Sequence, residues 1–298
     1  MSIKLIAADK TDVGKQREQN EDSVYKRVES LGEGDIGLFI VADGMGGYQA
    51  GEVASRLAVE TISKALGLFF EPIADQPTIK LNFDAKPAPA PEPDATMQNN
   101  TKSQANEAQK TQKLPEMAFA QFDEKRITDA IQAANDAIIH YGEQHTSARG
   151  LGSTLTMALV LNDRVYIANV GDSRTYHFHR GKLEPITKDH SLVAKLVETK
   201  QIEPEDIYTH PQRNVIYRSL GAGRKKVEVD IFHIKLEAGD TLLLCCDGLW
   251  EMVRHQDLQR ELNANNSPQS ICDRLIDLAN ANGGEDNISA IVVQASAR

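Results

Sequence analysis

The residues of this sequence that are best suited to chemistry are aspartates at the ends of apolar segments. Three apolar segments run directly into an aspartate, at Asp43, Asp172 and Asp247, and a fourth aspartate, Asp286, precedes the apolar segment 288–293. Buried strands that end in this way would gather several negative charges in one place, which is costly unless a cation compensates them. Carboxylate oxygens favour the hard ions Mg²⁺ and Mn²⁺ over zinc. The pattern therefore predicts a divalent-cation site.

Two structural alternatives compete with this interpretation. Asp-Gly is a common tight-turn dipeptide, so a single Asp-Gly after a strand more often marks a hairpin than a ligand. However, the segments after Asp43 and Asp247 continue into helical sequence rather than into a returning strand. The glycines that follow Asp43 are also similar to a dinucleotide-binding turn, but Gln49 stands where that fingerprint requires a third glycine. The cation site remains the favoured hypothesis.

Length and composition narrow the class of protein. The chain has 298 residues, 41% hydrophobic and 26% charged, as is typical of globular proteins with a substantial core. A net charge of -10 argues against a basic nucleic-acid-binding surface and against a polybasic membrane patch. The apolar runs fall far short of the ~20 residues of a membrane helix, and the first residues do not resemble a secretory signal. Three cysteines, two of them adjacent, favour a reducing cytoplasm over a disulfide framework.

Apolar periodicity indicates helices packed on an antiparallel sandwich. Residues 48–66 and 127–141 repeat apolar side chains at helical spacing, and a third helix begins with Ser267 as N-cap and Pro268 at its first position. Short strands are predicted at 3–8, 23–28, 37–42, 153–160, 164–170, 175–179, 229–234, 241–246 and 288–293. Many short strands combined with a few long amphipathic helices predict an α+β fold.

One segment of the chain differs sharply from the rest in composition. Seven of the eleven prolines lie between Pro72 and Pro115, in a tract otherwise rich in Gln, Asn, Lys and Ala. Such a tract cannot bury enough apolar surface to offset the entropy lost on ordering. We therefore predict a flexible insert at about 71–118 within a single domain spanning 1–298. A docking arm for a partner protein is the alternative.

Two further features each have two explanations. His177 and His179 lie on one face of a predicted strand and could bind a metal, but a pair of solvated strand residues is the commoner arrangement. Trp250, the sole tryptophan, is expected either to pack in the core or to act as a lid. Neither feature by itself indicates a function.

An ordered set of motifs identifies a family. The motifs are Arg17 with Asn20-Glu-Asp22, Val41-Ala-Asp-Gly-Met-Gly-Gly47, Gly152-Ser-Thr154, Val170-Gly-Asp-Ser-Arg174, Asp189-His-Ser191, Cys246-Asp-Gly-Leu249 and Glu285-Asp-Asn287. This set resembles the metal-dependent PP2C (PPM) protein serine/threonine phosphatases, most closely their compact bacterial members. The resemblance spans nearly the whole chain except 71–118. It implies an α-β-β-α sandwich of two central antiparallel β-sheets flanked by helices.

The resemblance also implies a metal centre at one end of the sandwich, with two Mn²⁺ or Mg²⁺ ions and, as in bacterial members, a third. Asp43 matches the carboxylate that bridges the two ions, and Gly44 matches a ligand that acts through its backbone carbonyl. Asp247 and Asp286 match the remaining ligands of this pair. Asp172, together with Asp247, is similar to the site that holds the third ion.

Other residues resemble the parts that bind and position the substrate. Glu21 and Asp22 match carboxylates that act through coordinated waters, and Arg17 matches the arginine that binds the substrate phosphate. Residues 190–216 resemble the mobile flap beside the site. Many bacterial members have a histidine where this chain has Tyr48, which leaves the proton donor to the leaving oxygen unassigned. A coordinated water is the first candidate, and Tyr48 is the second.

The activity implied by the resemblance is hydrolysis of phosphoserine and phosphothreonine in proteins by a metal-activated water. The expected partners are phosphorylated proteins in the cytoplasm, including a bacterial serine/threonine kinase and its targets. Two alternatives stay open: a PP2C-like module that binds phosphoproteins without turnover, and a phosphatase of small phosphomonoesters. The intact set of Asp43, Asp247 and Asp286 argues against the first of these.

Overall fold

Two antiparallel β-sheets, stacked face to face, form the centre of the molecule. The structure is a computed structural model, which describes residues 3–31, 34–46, 50–70, 123–264 and 266–298. Strands are numbered in chain order. Within these ranges one sheet has five strands, which lie side by side in the order β1 (Ile3–Asp12), β12 (Ile288–Ala297), β11 (Thr241–Cys245), β7 (Arg174–His179) and β8 (Lys182–Pro185).

The second sheet is built around a long central strand, β3. In spatial order its strands are β10 (Asp230–Lys235), β6 (Arg164–Val170), β5 (Leu155–Leu161), β3 (Gly34–Met45), β4 (Gly152–Ser153) and β9 (Leu220–Gly221). The strand β2 (Asp22–Leu31) pairs with β3 outside this order.

Helices cover the outer face of each sheet. The second sheet is covered by α1 (Ala50–Leu66) and α2 (Lys125–Gln144), and the first by α5 (His255–Asn263) and α6 (Pro268–Ala281). Shorter elements are α3 (Leu192–Glu198), α4 (Asp247–Trp250) and 3₁₀ turns at Gly67–Phe70, Thr146–Ala148 and Pro204–Tyr208. None of the helices in the described ranges is long and apolar enough to span a bilayer. The architecture is the α-β-β-α sandwich that the sequence predicts.

Strand β3 illustrates how the layers are held together. Because side chains alternate along a strand, Leu38 and Ile40 pack with α1 and α2, while Phe39 and Val41 pack in the cluster between the two sheets. Leu242 of β11 joins this inter-sheet cluster from the other side. Each fully buried side chain of this kind stabilises the fold by about 1.5–3 kcal/mol. The position of β3 is therefore fixed by side-chain packing on both faces of the strand.

Local sequence signals predict most of the helices and strands, but not all of their first and last residues. Ser267 Oγ accepts a hydrogen bond from Ser270 N at 3.3 Å, which confirms the predicted N-cap of α6. Strand β3 extends past its predicted end at residue 42, because Gly44 and Met45 pair with the two-residue strand β4. The first helix is described from Ala50 rather than from residue 48.

The predicted flap is described, whereas the predicted insert is not. Residues 190–216 contain α3 and a 3₁₀ turn, and an isolated antiparallel bridge between Ser191 and Ile216 closes the segment at its base. The segment 71–118 lies outside the described residues. Its flexibility and the single-domain organisation of 1–298 therefore stay predictions.

Candidate active site

The directions of the strands bring the four predicted aspartates to one edge of the sandwich. Strands β3 and β6 are both antiparallel to β5, so they run in the same direction and present Asp43 and Asp172 at the same edge. Strands β11 and β12 are antiparallel, so Asp247 after β11 lies beside Asp286 before β12. The chain crosses from one sheet to the other between β6 and β7, and Asp172 lies in that crossing.

A cavity of about 230 Å³ opens at this edge. Its lining contains Arg17, Glu21, Asp43, Gly44, Asp172, Asp247 and Asp286, together with Met45, Gly46, Thr154, Asn214 and Ile216. The structure thus brings together the predicted site residues except Asp22, which lies behind the lining, and Tyr48, which lies outside the described residues. The role of Tyr48 as a proton donor stays a prediction. Asn214 and Ile216 belong to the flap, so the flap forms part of the cavity wall.

Asp43 is fixed through its backbone rather than through its carboxylate. Asp43 N donates a hydrogen bond to Thr154 Oγ1 at 3.2 Å, and Asp43 O accepts hydrogen bonds from Thr154 N at 2.8 Å and Ser153 Oγ at 3.0 Å. Thr154 Oγ1 in turn lies 2.7 Å from Ser173 Oγ. The hydroxyl residues near the site are therefore structural, and the carboxylate of Asp43 is left to face the cavity.

Gly44 is required by a close approach of two backbones. A Cβ atom at this position would lie 2.0 Å from Gly51 O at the start of α1 and 2.6 Å from Glu21 O. Gly44 N donates a hydrogen bond to Glu21 O at 3.1 Å. Any larger residue would separate β3 from α1 and from the segment that carries Glu21. The glycine after Asp43 is therefore fixed by packing, whatever its carbonyl binds.

Asp22 lies directly behind the cavity. It pairs in register with Asp43, is 8% exposed, and its Oδ2 accepts a hydrogen bond from Ser289 Oγ at 2.6 Å. Burial, opposed by hydrogen bonds and increased by the nearby charges of Asp286 and Glu21, raises its pKa to about 6. Its negative charge therefore adds to the repulsion within the site without reaching the cavity.

The carboxylates of the site repel one another in a poorly solvated place. Burial first, and then neighbouring carboxylates, raises the pKa values of Asp43 and Asp247 well above the usual range. Burial, with the charge of Asp189 as the next cause, raises the pKa of Asp172 to about 7. The pKa of Glu21 is also raised, chiefly by burial. Without a cation, full ionisation of this cluster at neutral pH is unfavourable.

The donor set fits divalent metal ions. Asp247 Oδ1 and Asp22 Oδ1 are buried and have no hydrogen-bond partner among the described residues. A buried carboxylate oxygen without a partner is costly, and a cation is a group that can compensate it. Five carboxylates line the cavity beside the side chains of Arg17, Thr154 and Asn214, and carboxylate oxygens are the ligands that suit Mg²⁺ or Mn²⁺.

Arg17 is held at the mouth of the cavity by an ion pair with Asp286 and by hydrogen bonds from Asn287 to its loop. Arg17 Nη2 lies 2.6 Å from Asp286 Oδ2, and the arginine side chain is 47% exposed. Asn287 Nδ2 donates to Val13 O at 3.0 Å and to Gln19 O at 2.9 Å, while its Oδ1 accepts from Glu21 N at 2.8 Å. Asn287 therefore joins the loop carrying Arg17 to the end of β12.

Asp172 is supported by a stack of buried side chains. Trp250 Nε1 donates a hydrogen bond to Asp172 O at 3.0 Å, and the Arg174 guanidinium lies 3.4 Å from the centre of the Trp250 ring. Arg174 also donates hydrogen bonds to Asp189, from Nε at 2.9 and 3.2 Å and from Nη2 at 2.6 Å. Trp250 is 3% exposed, so it packs in the core and the lid alternative is wrong.

Arg213 connects the flap to the aspartate-bearing edge. Its Nε lies 3.2 Å from Glu251 Oε2, and its Nη2 lies 2.9 Å from Glu285 Oε2. Glu251 is in the turn that begins at Asp247, and Glu285 immediately precedes Asp286. No local pattern indicates this contact, because 72 residues separate Arg213 from Glu285.

Comparisons with known proteins identify the family and agree with the fold. The family model described as protein phosphatase 2C matches residues 94–288. The chain belongs to the protein phosphatase 2C family. The serine/threonine phosphatase stp of Listeria welshimeri is 34% identical over 287 residues, which are 96% of this chain and 94% of that protein. The serine/threonine protein phosphatase PstP of Mycobacterium tuberculosis is 32% identical over 98% of this chain, and the match spans 45% of the longer PstP.

Solved structures of PP2C phosphatases have the same fold. The serine/threonine phosphatase Stp1 from Staphylococcus aureus superposes with a TM-score of 0.74 and 30% identity, covering 100% of this chain and 97% of that chain. The catalytic domain of PstP, solved with two manganese ions, gives a TM-score of 0.72 and 29% identity, covering 99% of this chain and 100% of that chain. The predicted family, sandwich fold and protein serine/threonine phosphatase activity are confirmed, and the PP2C metal centre makes the activity dependent on Mn²⁺ or Mg²⁺.

Proposed function

We propose that this PP2C phosphatase hydrolyses phosphoserine and phosphothreonine by direct attack of water in the aspartate-lined cavity. The observation that carries the proposal is that one guanidinium and five carboxylates line the same space of about 230 Å³. Thr154 contributes a hydroxyl to this lining, but its Oγ1 is engaged by Ser173 and by the backbone of Asp43. Water is therefore the expected nucleophile, and a covalent phosphoenzyme is not required.

The aspartates of the cavity would hold the metal ions. Asp43, the Gly44 carbonyl, Asp247 and Asp286 would hold two divalent ions, and Asp172 with Asp247 would hold a third. When bound, divalent ions lower the pKa of a water molecule and neutralise charge on phosphoryl oxygens. The raised pKa values of Asp43 and Asp247 support this assignment, because burial and then repulsion make their charges unfavourable and a cation would compensate those charges.

The remaining site residues would position the phosphate and the surrounding water. A guanidinium can donate two parallel hydrogen bonds to phosphate oxygens, and the half-exposed Arg17 is free to turn from Asp286 towards a bound phosphate. Glu21, in the cavity wall, and Asp22, behind it, would orient waters as hydrogen-bond acceptors. Their roles are separate from that of Arg17, which would contact the substrate itself.

Replacing Arg17 tests the phosphate contact. We expect Arg17→Ala to lower kcat/KM for a phosphothreonine peptide by about 10²-fold, with most of the effect in KM, because a charge-assisted bidentate contact is lost. Arg17→Lys should recover part of this loss through charge alone. The exposed Arg164→Lys serves as a control. Steady-state kinetics measure the effect, and unchanged KM values in both Arg17 variants would contradict the assignment.

The overall proposal is tested by the metal dependence and the substrate preference of one reaction. Phosphate release from a phosphothreonine peptide should require Mn²⁺ or Mg²⁺ and should stop when EDTA is added. A peptide should be preferred over a small aryl phosphate, since the flap residues Asn214 and Ile216 line the cavity and can contact a peptide chain. Binding of the peptide without turnover would favour the binding-module alternative. Equal preference for the aryl phosphate would favour a phosphomonoesterase.

The flap contact of Arg213 leads to a separate prediction about substrate binding. We expect Arg213→Ala to raise KM for the peptide by up to about tenfold, equivalent to ~1.4 kcal/mol, because the flap loses both of its ion pairs with the catalytic edge. Hydrogen exchange of the flap backbone should accelerate at the same time. Lys195→Ala is the control, since Lys195 pairs with Glu198 inside α3. Slower turnover with an unchanged flap exchange rate would contradict this role.

The proposal also names the protein substrates and the cellular location. The substrates would be phosphorylated proteins, among them a serine/threonine kinase and its targets. A cytoplasmic location is supported by the burial of Cys245, Cys246 and Cys272 as free thiols. Incubating the phosphatase with an autophosphorylated bacterial kinase domain would test the partner, and failure to remove its phosphate would count against a kinase as substrate.

A further inference from the structure

A second group of metal-ligand residues lies at the opposite end of the sandwich from the aspartate-lined cavity. His177 and His179 project from one face of β7, and Asp240 immediately precedes β11. Strands β7 and β11 pair from Cys245–Arg174, at the cavity end, to Thr241–Phe178, so the three residues lie at the far end of these strands. This group is distinct from the phosphatase site.

The two histidines are not the solvated strand residues that the sequence favoured. Their side chains are 14% and 33% exposed, and both turn towards the carboxylate of Asp240. His177 Nε2 lies 3.0 Å from Asp240 Oδ2, and His179 Nδ1 lies 2.6 Å from Asp240 Oδ1. Because the carboxylate reaches them from a turn after β10, sequence spacing does not indicate this contact.

The carboxylate of Asp240 is buried, and the neighbouring backbone already holds it in one orientation. Its side chain is 3% exposed, and among the described residues its ion-pair partners are the two imidazoles, with no lysine or arginine within contact distance. Glu237 N donates to Asp240 Oδ2 at 2.8 Å, and Asp240 N donates to Glu237 O at 3.1 Å. Gly239, with φ +97°, allows this turn. A backbone contact of this kind orients a ligand carboxylate in metal sites.

We propose that His177, His179 and Asp240 bind a zinc ion that joins β7 to the turn before β11. Two imidazole nitrogens and one carboxylate oxygen form a ligand set used for Zn²⁺, with a water in the fourth position. The three ligand atoms already lie within 4.8 Å of one another. Ligand atoms around a tetrahedral zinc ion are roughly 3.4 Å apart, so the two contacts between a histidine nitrogen and an Asp240 oxygen, at 3.0 and 2.6 Å, must each open by less than ~1 Å. The partly exposed His179 provides both the path of entry and the freedom to move.

The chemistry of this site differs from that of the aspartate-lined cavity. The cavity presents carboxylates and a carbonyl, which suit Mg²⁺ or Mn²⁺, whereas imidazole nitrogens favour the more polarisable Zn²⁺. The nearby Arg180 pairs with Glu237 rather than with Asp240. The proposed zinc site is separate from the phosphatase residues, because its ligands lie at the opposite end of β7 and β11. It is independent of the proposed reaction.

Zinc stoichiometry tests the proposal directly. EDTA-treated protein would be dialysed against Zn²⁺ in the presence of excess Mg²⁺, comparing wild type with His177→Gln/His179→Gln. The matched control is His140→Gln/His145→Gln, which removes two exposed histidines of the α2 end. We expect wild type and control to bind one zinc more than the His177/His179 variant. Zinc bound at the cavity would be equal in all three proteins, so equal stoichiometry would overturn the proposal.

Two further readouts identify the ligands and the structural effect. Co²⁺ in place of zinc should give paramagnetically shifted imidazole NMR signals in wild type that are lost in the His177/His179 variant. Zinc at 100 times its dissociation constant should raise the Tm of wild type by about 5 °C and leave the variant unchanged. If the double variant does not fold, the single substitution His179→Gln should still weaken zinc binding at least about tenfold. Unchanged affinity in that variant would also overturn the proposal.

Discussion

Replacing Asp247 or Asp43 by asparagine is expected to lower turnover of a phosphothreonine peptide at least about 10³-fold. Each substitution removes one negative charge from the group that would hold the divalent ions, and metal-ion catalysis supplies several kcal/mol of transition-state stabilisation. The effect should appear in kcat rather than in KM alone, since Arg17 remains available to bind the phosphate. Steady-state kinetics at saturating Mn²⁺ measure the loss.

The same substitutions are expected to stabilise the protein when metal is absent. Asp247 Oδ1 is buried without a hydrogen-bond partner among the described residues, and the charges of Asp172 and Asp286 raise the Asp247 pKa further above its usual range. An amide in place of the carboxylate removes this repulsion, so the Tm in EDTA should rise while activity is lost. Added Mn²⁺ should raise the Tm of wild type and have a smaller effect on the variant.

A matched control separates this effect from general damage. Asp35 is 2% exposed, lies outside the cavity and accepts hydrogen bonds from Leu5 N at 2.8 Å and Ser30 Oγ at 2.7 Å. Asp35→Asn should leave turnover nearly unchanged and should not raise the Tm. If Asp247→Asn lost activity together with a fall in the metal-free Tm, misfolding rather than ligand loss would be the cause, and the assignment would fail.

The second large effect is a loss of stability with rising pH in the metal-free phosphatase. A carboxylate whose pKa is raised by folding binds more protons in the folded state. Its contribution to stability is complete below the unfolded pKa of about 4 and disappears as the pH rises through the folded value. Folded values of about 6 for Asp22 and about 7 for Asp172, with Asp43 and Asp247 well above the usual range, extend this loss into the neutral region.

The pKa of one histidine, His190, determines the pH range in which unfolding should be measured. Burial lowers the pKa of His190, so this residue makes the folded protein more stable as the pH rises towards about 6.5. Above that value the charge on the unfolded imidazole declines, so this opposing effect weakens. Urea unfolding in EDTA should therefore be compared between about pH 6.5 and pH 8.5, where each excess bound proton gives a slope of about 1.4 kcal/mol per pH unit.

Metal addition provides the control for this pH effect. Saturating Mg²⁺ should flatten the dependence, because bound cations replace the protons that relieve the repulsion. Asp172→Asn should reduce the slope in EDTA near pH 7 and should leave the sign unchanged. A metal-free protein that became more stable between pH 6.5 and pH 8.5 would contradict the electrostatic description of the site.

The residues whose roles could be predicted are those with local signals. Ser267 and Pro268 begin α6 because an N-cap and an N1 proline act within one turn. Asp43 and Asp247 were recognisable because each follows an apolar strand without the sequence of a hairpin. The ordered motifs extended these signals to Arg17, and the structure places it at the cavity with the aspartates.

Residues that act across the fold had no such local signal. Arg213 reaches Glu251 and Glu285 from the flap, and Asn287 ties the Arg17 loop to β12. The two-residue strands β4 and β9 are too short to be recognised by periodicity, and they form by pairing with each other and, for β4, with β3. These contacts join residues that are far apart in the chain, so a local sequence pattern does not predict them.

The fold class, the family and the acidic residues that line the cavity were all predictable from the sequence alone. They were predictable because strand alternation, helix caps and ordered motifs are properties of neighbouring residues. The tertiary structure decided which carboxylates share the cavity and which, like Asp22, lie behind it. It also decided that Asp240 faces His177 and His179. The physical reason is that burial and charge repulsion depend on distances in space, and these are fixed only when the two sheets pack together.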